Sequence, residues 1–460
     1  MNDFHLSDLN KNAKIHFIGI GGISMSGLAH ICLQEGYTVS GSDAGSSPIL
    51  AQLAQDGAVI YKGHDAENCV GADLVVYTAA IKDDNPELVY ARENNIQNME
   101  RSTFLGGVMR SYTDCVCVAG THGKTTTTSM MSHVLLSHDC DPTILIGGEL
   151  DEIGGNYRLG NSKYFLTEAC EYHSSFLEFF PKYAIITNVD ADHLDYFRDL
   201  EHIKETFRAY ANLPGKDGFV LVCGDDTNAM ECVNETDATI ITYGLDATND
   251  IHPSAVYTKA HCTCFEIEID NETLYIQLQV AGKHNLLNAL ACFAVGKAMG
   301  IDAHTVKCGV ESFKMVHRRF ERKGYINDAL IIDDYAHHPT EIKCTLQAAR
   351  SIAGGRVIVA FQPHTYTRTL TLLDEFSNAF YDADEVLVFD IYAAREKDTG
   401  LIHAKDLVAK LKENGVSASY AESFDTATIN LKNTLKISDI LITMGAGNIF
   451  KVGEMLLEQE

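Results

Sequence analysis

The chain has 460 residues, too long for one hydrophobic core, and at roughly 150 residues per domain it predicts three domains. Hydrophobic residues make up 46% and charged residues 22%, a balance typical of an ordered α/β protein. Asp and Glu number 63 against 36 Lys and Arg, and the net charge of −27 argues against nucleic acid as a partner. An anionic nucleotide must therefore be bound by backbone N–H groups and a few cations.

The cysteines and the amino-terminal segment bear on the cellular compartment. The 13 Cys are scattered, odd in number and mostly set in apolar runs, which predicts small core residues in a reducing compartment. Cys262 and Cys264 could form half of a metal site, but no second pair follows and the alternation favours a strand. The segment Met1 to Lys14 is polar, and no apolar run of ~18 residues follows it. We therefore expect a cytoplasmic protein with no membrane partner.

The first predicted domain, residues 1–112, begins with a strand, a glycine-rich turn and a helix. The strand covers residues 15–20, the turn residues 19–22 and the helix residues 25–35. Further strands are predicted at 38–40, which leads to Ser42 and Asp43, and at 59–60 and 74–78. A turn of this kind can bind phosphate at the helix N-terminus, and alternating strands and helices predict a parallel sheet.

The second predicted domain, residues 113–316, opens with the clearest chemical signal. The apolar strand 115–119 leads into Gly120-Thr121-His122-Gly123-Lys124-Thr125, and Thr126 follows. Backbone N–H groups of such a turn can surround a β-phosphate, while Lys124 supplies a cation and a Thr hydroxyl can reach Mg²⁺. The loop departs from general P-loop spacing because position 118 is Val rather than Gly. A turn that contains a lysine by chance is the alternative, which the preceding strand and the Thr run disfavour.

Two acidic segments follow apolar runs later in this domain. Glu168-Ala169-Cys170-Glu171 follows one run, and Thr187 to His193 follows the run 183–186. Ligands of α/β sheets bind at the carboxyl ends of parallel strands, so a carboxylate and an imidazole there could complete a Mg²⁺ site. Because His is an uncommon ligand for so hard a cation, an ordinary loop histidine remains the alternative.

Polar residues also open an Ala-rich helix after Gly282. His284, Asn285 and Asn288 lie at its start, where the amides could contact a base edge or simply cap the helix. Both interpretations stay open from spacing alone.

The third predicted domain, residues 317–460, has strands at 329–332, 357–360, 386–389 and 440–444. Near its start, Arg319 could reach a phosphate or belong to a charged linker. Residues 333–341 are predicted to form a loop after a strand and to lead into a helix with an acidic first turn. The adjacent His337 and His338 in this segment favour a functional site. Arg368, after the next strand, could bind a carboxylate.

Taken together, these segments resemble the Mur ligase family, whose members couple ATP to amide formation. The resemblance spans residues 14–450 and rests on motifs in the family's order: Gly120 to Thr125, Thr187 to His193, His284 to Asn288, Arg318-Arg319-Phe320 and Asp334 to Pro339. In the first domain, Phe17 to Ala29, Gly41-Ser42-Asp43 and Gly63-His64 resemble the branch that uses UDP-N-acetylmuramate and L-alanine.

The resemblance implies a fold and a reaction. The fold would be α/β, with a Rossmann-like N-terminal domain, a central P-loop ATPase-like domain and a C-terminal Rossmann-like domain. The lactyl carboxylate of UDP-N-acetylmuramate would attack ATP, and L-alanine would then displace phosphate from the acyl phosphate. The implied partners are UDP-N-acetylmuramate, L-alanine and ATP, with Mg²⁺ as cofactor. We expect a monomer or weak homodimer that performs a cytoplasmic step of peptidoglycan synthesis.

The resemblance also implies roles for individual residues. Those expected in catalysis are Lys124, His193, Arg319, His337, His338 and Arg368. Those expected to bind ATP are Gly120, Thr121, His122, Gly123, Lys124, Thr125, Thr126, His284, Asn285, Asn288, Asp334 and Tyr335. Those expected to bind the UDP-sugar are Gly19, Gly21, Gly22, Ser24, Asp43 and His64, and those expected to bind metal are Thr125, Glu168 and His193.

The chain departs from the family at two positions. Cys170 stands where this branch usually has Asp, although Glu168 and His193 are kept. Several relatives carry a carbamylated lysine fourteen residues after the metal-binding histidine, and the residue fourteen after His193 is Phe207. Phe207 cannot carry a carbamate, and Lys204 lies on the same helical face. We therefore expect a reaction that needs no carbamate.

Three alternatives remain open at this point. One is a recycling ligase that attaches a murein tripeptide to the same nucleotide sugar, and another is a non-catalytic sensor of UDP-N-acetylmuramate. The joint presence of Lys124, Glu168 and His193 disfavours the sensor. The third, an NAD-dependent enzyme, rests on the Gly19 loop alone, and a lone glycine fingerprint is weak.

Overall fold

A computed structural model describes residues 4–259, 262–314, 316–394 and 396–458. Residues 1–3 of the first predicted domain and residues 459–460 of the third lie outside the described residues. The chain forms two compact units. The first contains the residues up to Asp190, Leu200–His252 and Asn288–Val310. The second contains Ala191–Asp199, Pro253–Leu287 and the residues from Glu311 onward.

The first unit begins with a five-stranded, wholly parallel sheet of order β3-β2-β1-β4-β5. Its strands are β1 (Lys14–Ile18), β2 (Thr38–Asp43), β3 (Val59–Lys62), β4 (Leu74–Tyr77) and β5 (Gln97–Glu100), and its helices are α1 (Ile23–Gln34), α2 (Pro48–Gln55), α3 (Pro86–Glu93) and α4 (Arg101–Met109). The predicted strand, glycine turn and helix are confirmed, and the parallel order brings the carboxyl ends of all five strands to one edge.

The first unit also holds a seven-stranded sheet of order β12-β11-β10-β6-β9-β7-β8, parallel except for the β7–β8 pair. Its strands are β6 (Asp114–Ala119), β7 (Thr143–Leu150), β8 (Gly155–Arg158), β9 (Tyr164–Glu168), β10 (Tyr183–Ile186), β11 (Phe219–Cys223) and β12 (Thr239–Tyr243). Its helices include α5 (Lys124–Ser137), α6 (Leu200–Ala211) and α7 (Thr227–Glu231). The predicted strand at 183–186 matches β10 residue for residue.

The second unit contains a small antiparallel sheet and a larger, mostly parallel one. The strands β13 (Pro253–Lys259), β14 (Cys262–Ile269) and β15 (Glu272–Leu278) form the small sheet. Cys262 and Cys264 therefore lie in a strand, as the alternation predicts, and both thiols are free. Two helices follow in the chain, α8 (Lys283–Met299) and α9 (Ala303–Ser312).

The larger sheet has the order β16-β17-β21-β18-β19-β20, with β16 antiparallel at the edge. Its strands are β16 (Glu321–Ile326), β17 (Ala329–Asp334), β18 (Val357–Phe361), β19 (Glu385–Val388), β20 (Ala418–Tyr420) and β21 (Ile440–Met444). Its helices are α10 (Pro339–Ile352), α11 (Tyr366–Thr371), α12 (Leu373–Ser377), α13 (Ala404–Glu413), α14 (Phe424–Thr434) and α15 (Phe450–Leu457). The predicted α/β class is confirmed.

Side chains of β17 alternate between two buried layers. Leu330 and Ile332 pack in one apolar cluster with residues of α10, while Ala329 and Ile331 pack in a second cluster with residues of α15. Burial on both faces explains why the parallel strands appear in the sequence as continuous apolar runs. Among the described residues, no helix is both long and apolar enough to cross a bilayer.

The predicted end of the strand 329–332 is wrong. Asp333 and Asp334 were expected in a loop, but they are the last two residues of β17 and are buried. Their carboxylates are satisfied locally: Thr443 donates to Asp333 at 2.7 Å, and the backbone N–H groups of Phe320 and Ala336 donate to Asp334 at 2.7 Å each. Because these bonds replace water, two acidic residues can continue a buried strand.

Candidate active site

The loop after β6 is shaped by two glycines with left-handed backbone. Gly120 has φ +133° and Gly123 has φ +84°. A Cβ atom on Gly120 would lie 1.9 Å from Thr187 Oγ1, so a larger residue does not fit there. Asn188, just after β10, braces the loop: its carbonyl accepts from Thr121 N at 3.1 Å and its Oδ1 accepts from His122 N at 2.9 Å. The loop is therefore held by the neighbouring strand end.

Lys124, the first residue of α5, points back into this loop. Its Nζ donates to the carbonyl oxygens of Gly120 at 2.5 Å and Thr121 at 3.0 Å, and to Glu171 Oε2 at 3.0 Å. Burial would lower the pKa of Lys124, but the neighbouring acidic groups, led by Glu171, together outweigh burial and the pKa is raised. The ammonium group is therefore charged at neutral pH and lies between the loop and Glu171.

No role was predicted for Glu171 from the sequence. Only 2% of this residue is exposed, and its carboxylate is the ion-pair partner of Lys124. Strands β6 and β9 are parallel neighbours, so a carboxylate just after β9 reaches the loop that follows β6. That strand pairing is the signal that would have identified Glu171.

Two of the three predicted metal ligands meet in the first unit. Thr125 Oγ1 donates to Glu168 Oε2 at 3.1 Å, and the N–H of Gly147 donates to Glu168 Oε1 at 2.7 Å. Carboxylate and hydroxyl oxygens are the donors that Mg²⁺ prefers, so these two residues fit the cation. The third predicted ligand, His193, belongs to the second unit, and its pairing with Glu168 stays a prediction.

Other predicted ATP-binding residues of this unit lie beside the loop. Thr126 is in the first turn of α5 and partly exposed. Asn288 Oδ1 accepts from Thr127 Oγ1 at 3.1 Å, and a Cβ on Gly123 would be 3.0 Å from the same Oδ1. The structure thus brings Asn288 against the loop 120–125, although the sequence separates them widely.

The glycine loop after β1 is hydrogen bonded to the end of β2. The N–H groups of Gly19 and Ile20 donate to the carbonyl of Ser42, at 2.8 and 3.1 Å, and Gly21 N donates to Asp43 Oδ2 at 3.0 Å. These predicted substrate residues are therefore together, but part of the loop's hydrogen-bonding capacity is used internally. Gly22 caps α1 at its N-terminus.

Arg101 was not singled out from the sequence, yet it contacts a predicted substrate residue. It begins α4 directly after β5, and its Nη1 donates to Ser24 Oγ at 3.0 Å. The only signal was its position after a strand of the same sheet. His64, in contrast, was predicted, and it hydrogen bonds at Nδ1 with Ser42 and Glu87 at 3.0 and 2.9 Å.

In the second unit, two arginines surround Tyr335. The guanidinium carbons of Arg318 and Arg319 lie 4.9 and 5.1 Å from its ring centroid. Burial raises the pKa of the preceding Asp334 to about 6, although Arg319 opposes that shift. The predicted nucleoside contacts and the predicted phosphate contact are thus neighbours in this unit.

At the start of α8, one of the two predicted amides does not cap the helix. Asn285 Nδ2 donates to the carbonyl of Ala281 at 2.7 Å, so this amide satisfies a carbonyl before the helix rather than a helix N–H. Burial lowers the pKa of His284 to about 4, which leaves the imidazole neutral at neutral pH.

Arg368 binds a carboxylate from within the chain. Its Nε and Nη2 donate to Asp192 Oδ1 at 3.1 and 3.0 Å, and both side chains are largely buried. Desolvation would raise the pKa of Asp192, but Arg368 and the neighbouring histidines together outweigh it, and the pKa is strongly lowered. Asp192 was not predicted, although it stands beside His193.

The adjacent histidines differ in their surroundings. His338 caps α10, since its Nδ1 accepts from Thr340 N at 3.3 Å, and its Nε2 is 3.2 Å from the carbonyl of Ala191. Burial lowers the pKa of His337 to about 4. Its ring makes edge contacts with Tyr335 and His364. A helix cap thus accounts structurally for His338, and the functional roles of both residues stay predictions.

Comparisons with known proteins agree along the whole chain. Three family models match in order: Mur ligase family, catalytic domain (residues 14–113), Mur ligase middle domain (118–296) and Mur ligase, glutamate ligase domain (318–447). A UDP-N-acetylmuramate–L-alanine ligase of Acetivibrio thermocellus is 51% identical, covering 100% of this chain and 99% of that protein.

Two solved structures give the same picture. The crystal structure of a UDP-N-acetylmuramate-alanine ligase from Thermotoga maritima has a TM-score of 0.81 and 31% identity, covering 97% of this chain and 98% of its own. A murein peptide ligase from Psychrobacter arcticus has a TM-score of 0.71 and 25% identity, with the same coverage of 97% and 98%.

Proposed function

Because the chain belongs to the Mur ligase family, with its N-terminal, middle and C-terminal domains, we propose that it joins L-alanine to the lactyl carboxylate of UDP-N-acetylmuramate and converts ATP to ADP and phosphate. The observation that carries this proposal is the 51% identity, over the full chain, to the Acetivibrio thermocellus ligase. The murein tripeptide alternative is less well supported, since the solved murein peptide ligase has 25% identity against 31% for the alanine ligase. The three domains are proposed to span residues 1–112, 113–316 and 317–460.

The phosphate loop suits the first chemical step. A carboxylate oxygen of the substrate bonds to the γ-phosphorus of ATP, the bond to the bridging oxygen breaks, and ADP leaves. Two anions must approach each other in this step, so cations beside the γ-phosphate lower its barrier. Lys124, kept charged by Glu171, supplies one such cation. Arg319 is proposed as a second.

The second step forms the amide. The amino group of L-alanine attacks the acyl carbon, the bond to phosphate breaks, and the nitrogen loses a proton. Because the acyl phosphate is also open to attack by water, the site must exclude solvent during its lifetime. His337, His338 and Arg368 are proposed to bind the amino acid. Arg368 would then share its guanidinium with Asp192, to which it donates at 3.0 Å.

Mg²⁺ is part of the proposal. Thr125 and Glu168 present the oxygen donors that suit it, and His193 is proposed as a further ligand. When bound, the cation would offset negative charge on the phosphates.

The remaining roles are proposed from the motifs. The ATP phosphates would contact Gly120, Thr121, His122, Gly123, Thr125 and Thr126, and the ATP nucleoside would contact His284, Asn285, Asn288, Asp334 and Tyr335. The UDP-sugar would contact Gly19, Gly21, Gly22, Ser24, Asp43 and His64. A cytoplasmic location and a monomer or weak homodimer complete the proposal.

Phosphate release with one substrate omitted at a time tests the function. The chain is incubated with UDP-N-acetylmuramate, ATP and Mg²⁺, and with either single amino acids or the murein tripeptide. We expect release that depends on L-alanine and a product with the mass of the alanyl adduct. Release with the tripeptide alone would assign the recycling reaction instead. Lys124→Met, which keeps most of the length of the side chain without its charge, is the inactive control.

A further inference from the structure

Glu87 is a completely buried carboxylate at the start of α3, and four side chains hold it. Its Oε2 accepts from Ser42 Oγ at 2.6 Å and lies 2.9 Å from His64 Nδ1. Its Oε1 accepts from Asn68 Nδ2 at 2.7 Å and lies 3.4 Å from His16 Nε2. Burial would raise the pKa of Glu87, but the His16 imidazole, 3.4 Å away, and the hydrogen bonds with Ser42, Asn68 and His64 lower it to about 2. The group is therefore an anion at neutral pH.

The protons in this cluster can be assigned from the atoms alone. Ser42 Oγ has one hydrogen, and an ionised carboxylate can only accept, so that hydrogen points to Glu87 Oε2. The two atoms within reach of His64 Nδ1 are then Glu87 Oε2 at 2.9 Å and Ser42 Oγ at 3.0 Å. Both offer lone pairs, so Nδ1 must carry a hydrogen. In the neutral ring, Nε2 is left as an acceptor.

His64 stands next to the glycine loop. It follows Gly63, whose N–H donates to the carbonyl of Asp43 at 2.7 Å, and Asp43 in turn accepts from Gly21. About a quarter of the His64 side chain is exposed, at 25%. Within the described part of the chain, its hydrogen bonds are formed through Nδ1. Since Nδ1 is used in this way, Nε2 is the ring nitrogen left for a ligand, on a residue that hydrogen bonds connect to the loop proposed to bind the UDP-sugar.

We propose that Glu87 is a positioning residue that holds His64 in the Nδ1–H tautomer, so that Nε2 accepts a hydrogen bond from an N–H or O–H group of the UDP moiety. The proposal rests on the proposed function and names a determinant of nucleotide recognition. An ionised carboxylate without ligand contact is costly to bury, and fixing a binding group is a role that accounts for it.

The tautomer can be measured directly on the full chain. In ¹⁵N-histidine-labelled protein, long-range ¹H–¹⁵N correlation distinguishes a protonated ring nitrogen from a bare one, and comparison with His64→Gln identifies the His64 signals. We expect hydrogen on Nδ1 and a bare Nε2 in the free protein. Hydrogen on Nε2 with a bare Nδ1 would overturn the proposal. This measurement needs no substitution of Glu87.

Calorimetric measurement of UDP binding tests whether this tautomer matters for recognition of the nucleotide. An amide cannot accept from both Ser42 and Asn68 while also facing the two histidines, so Glu87→Gln is expected to weaken UDP binding about tenfold. His64→Gln should have a similar effect, and the double variant should be no weaker than either single one, because both act through the same contact. If the double variant lost the product of the two single losses in UDP affinity, the proposal would be overturned. The KM for ATP should stay unchanged in all three variants.

The control removes another buried carboxylate from the same unit. Asp114, at the start of β6, pairs with Lys163 at 2.8 Å and Lys182 at 2.6 Å. Asp114→Asn is expected to keep the UDP affinity. If the wild-type chain ligates and Glu87→Gln binds UDP as tightly, only this inference fails. If the wild-type chain neither ligates nor binds UDP, the proposed function fails and this inference with it.

Discussion

Replacement of Asp334 by asparagine is expected to change the pH dependence of stability. Burial raises the pKa of Asp334 from 3.8 to about 6. Because the folded-state pKa is the higher one, the stability that this carboxyl contributes is fully present below pH 3.8 and is lost as pH rises through about 6. A shift of about two units corresponds to about 3 kcal/mol. Asparagine does not titrate, so the wild type should lose about 3 kcal/mol relative to Asp334→Asn over this interval, about half of it between pH 5 and pH 8.

Urea unfolding of the two proteins, followed by circular dichroism at pH 5, 6, 7 and 8, measures this difference. Hydrogen bonds that the asparagine loses shift the difference by a constant, whereas the titration gives it a slope. Asp384→Asn is the matched control: desolvation would raise the pKa of Asp384, but its hydrogen bond from Arg350 and other contacts lower it. Its stability difference should therefore be flat above pH 5. A flat difference for Asp334→Asn would refute the argument from burial.

Four further outcomes are expected. Lys124→Ala should abolish ligation and leave UDP-sugar binding by calorimetry nearly intact, and ligation at a tenth of the parent rate would contradict the assignment. Glu171→Gln should lower kcat for phosphate release by ~10²-fold, because Lys124 loses its ion-pair partner; an unchanged kcat would rule this out. Hydroxylamine in place of L-alanine should trap a hydroxamate detectable by mass spectrometry, and ADP formation without it would count against the acyl phosphate. Lys204→Ala should keep most activity, and depletion of bicarbonate should not matter; rescue by bicarbonate would disprove this.

Much of the fold was predictable because its strands are buried on both faces. The run Tyr183–Ile186 is apolar throughout and bounded by Lys182 and Thr187, so its limits can be read directly, and the run Ile440–Met444 is apolar except for Thr443. The phosphate loop was equally clear, since Gly120 and Gly123 adopt backbone angles that other residues rarely adopt. Local sequence determines both features.

Buried polar groups were not predictable in the same way. Asp334 looked like a loop residue because acidic side chains seldom end a buried strand. One of its hydrogen-bond donors, Phe320 N, is 14 residues away in the sequence, and the other, Ala336 N, is 2 residues beyond it. Glu87 has partners on β1, on β2 and in the segment between β3 and β4, and none of them is close to it in the sequence. The arrangement exists only once the sheet has formed, so no window of the sequence contains it.

Phe207 occupies the position at which several relatives carry a carbamylated lysine. In α6 its ring is fully buried and meets Phe176 edge to face at 5.2 Å, while Lys204 pairs with Glu231 at 2.8 Å. A carbamate on Lys204 would place a negative charge where the ammonium now meets that carboxylate, and like charges at this distance repel. The helix thus uses one position for apolar packing and the other for an ion pair. If Mg²⁺ is bound, carboxylates such as Glu168, rather than a carbamate, must balance its positive charge. The reaction should therefore not respond to CO₂.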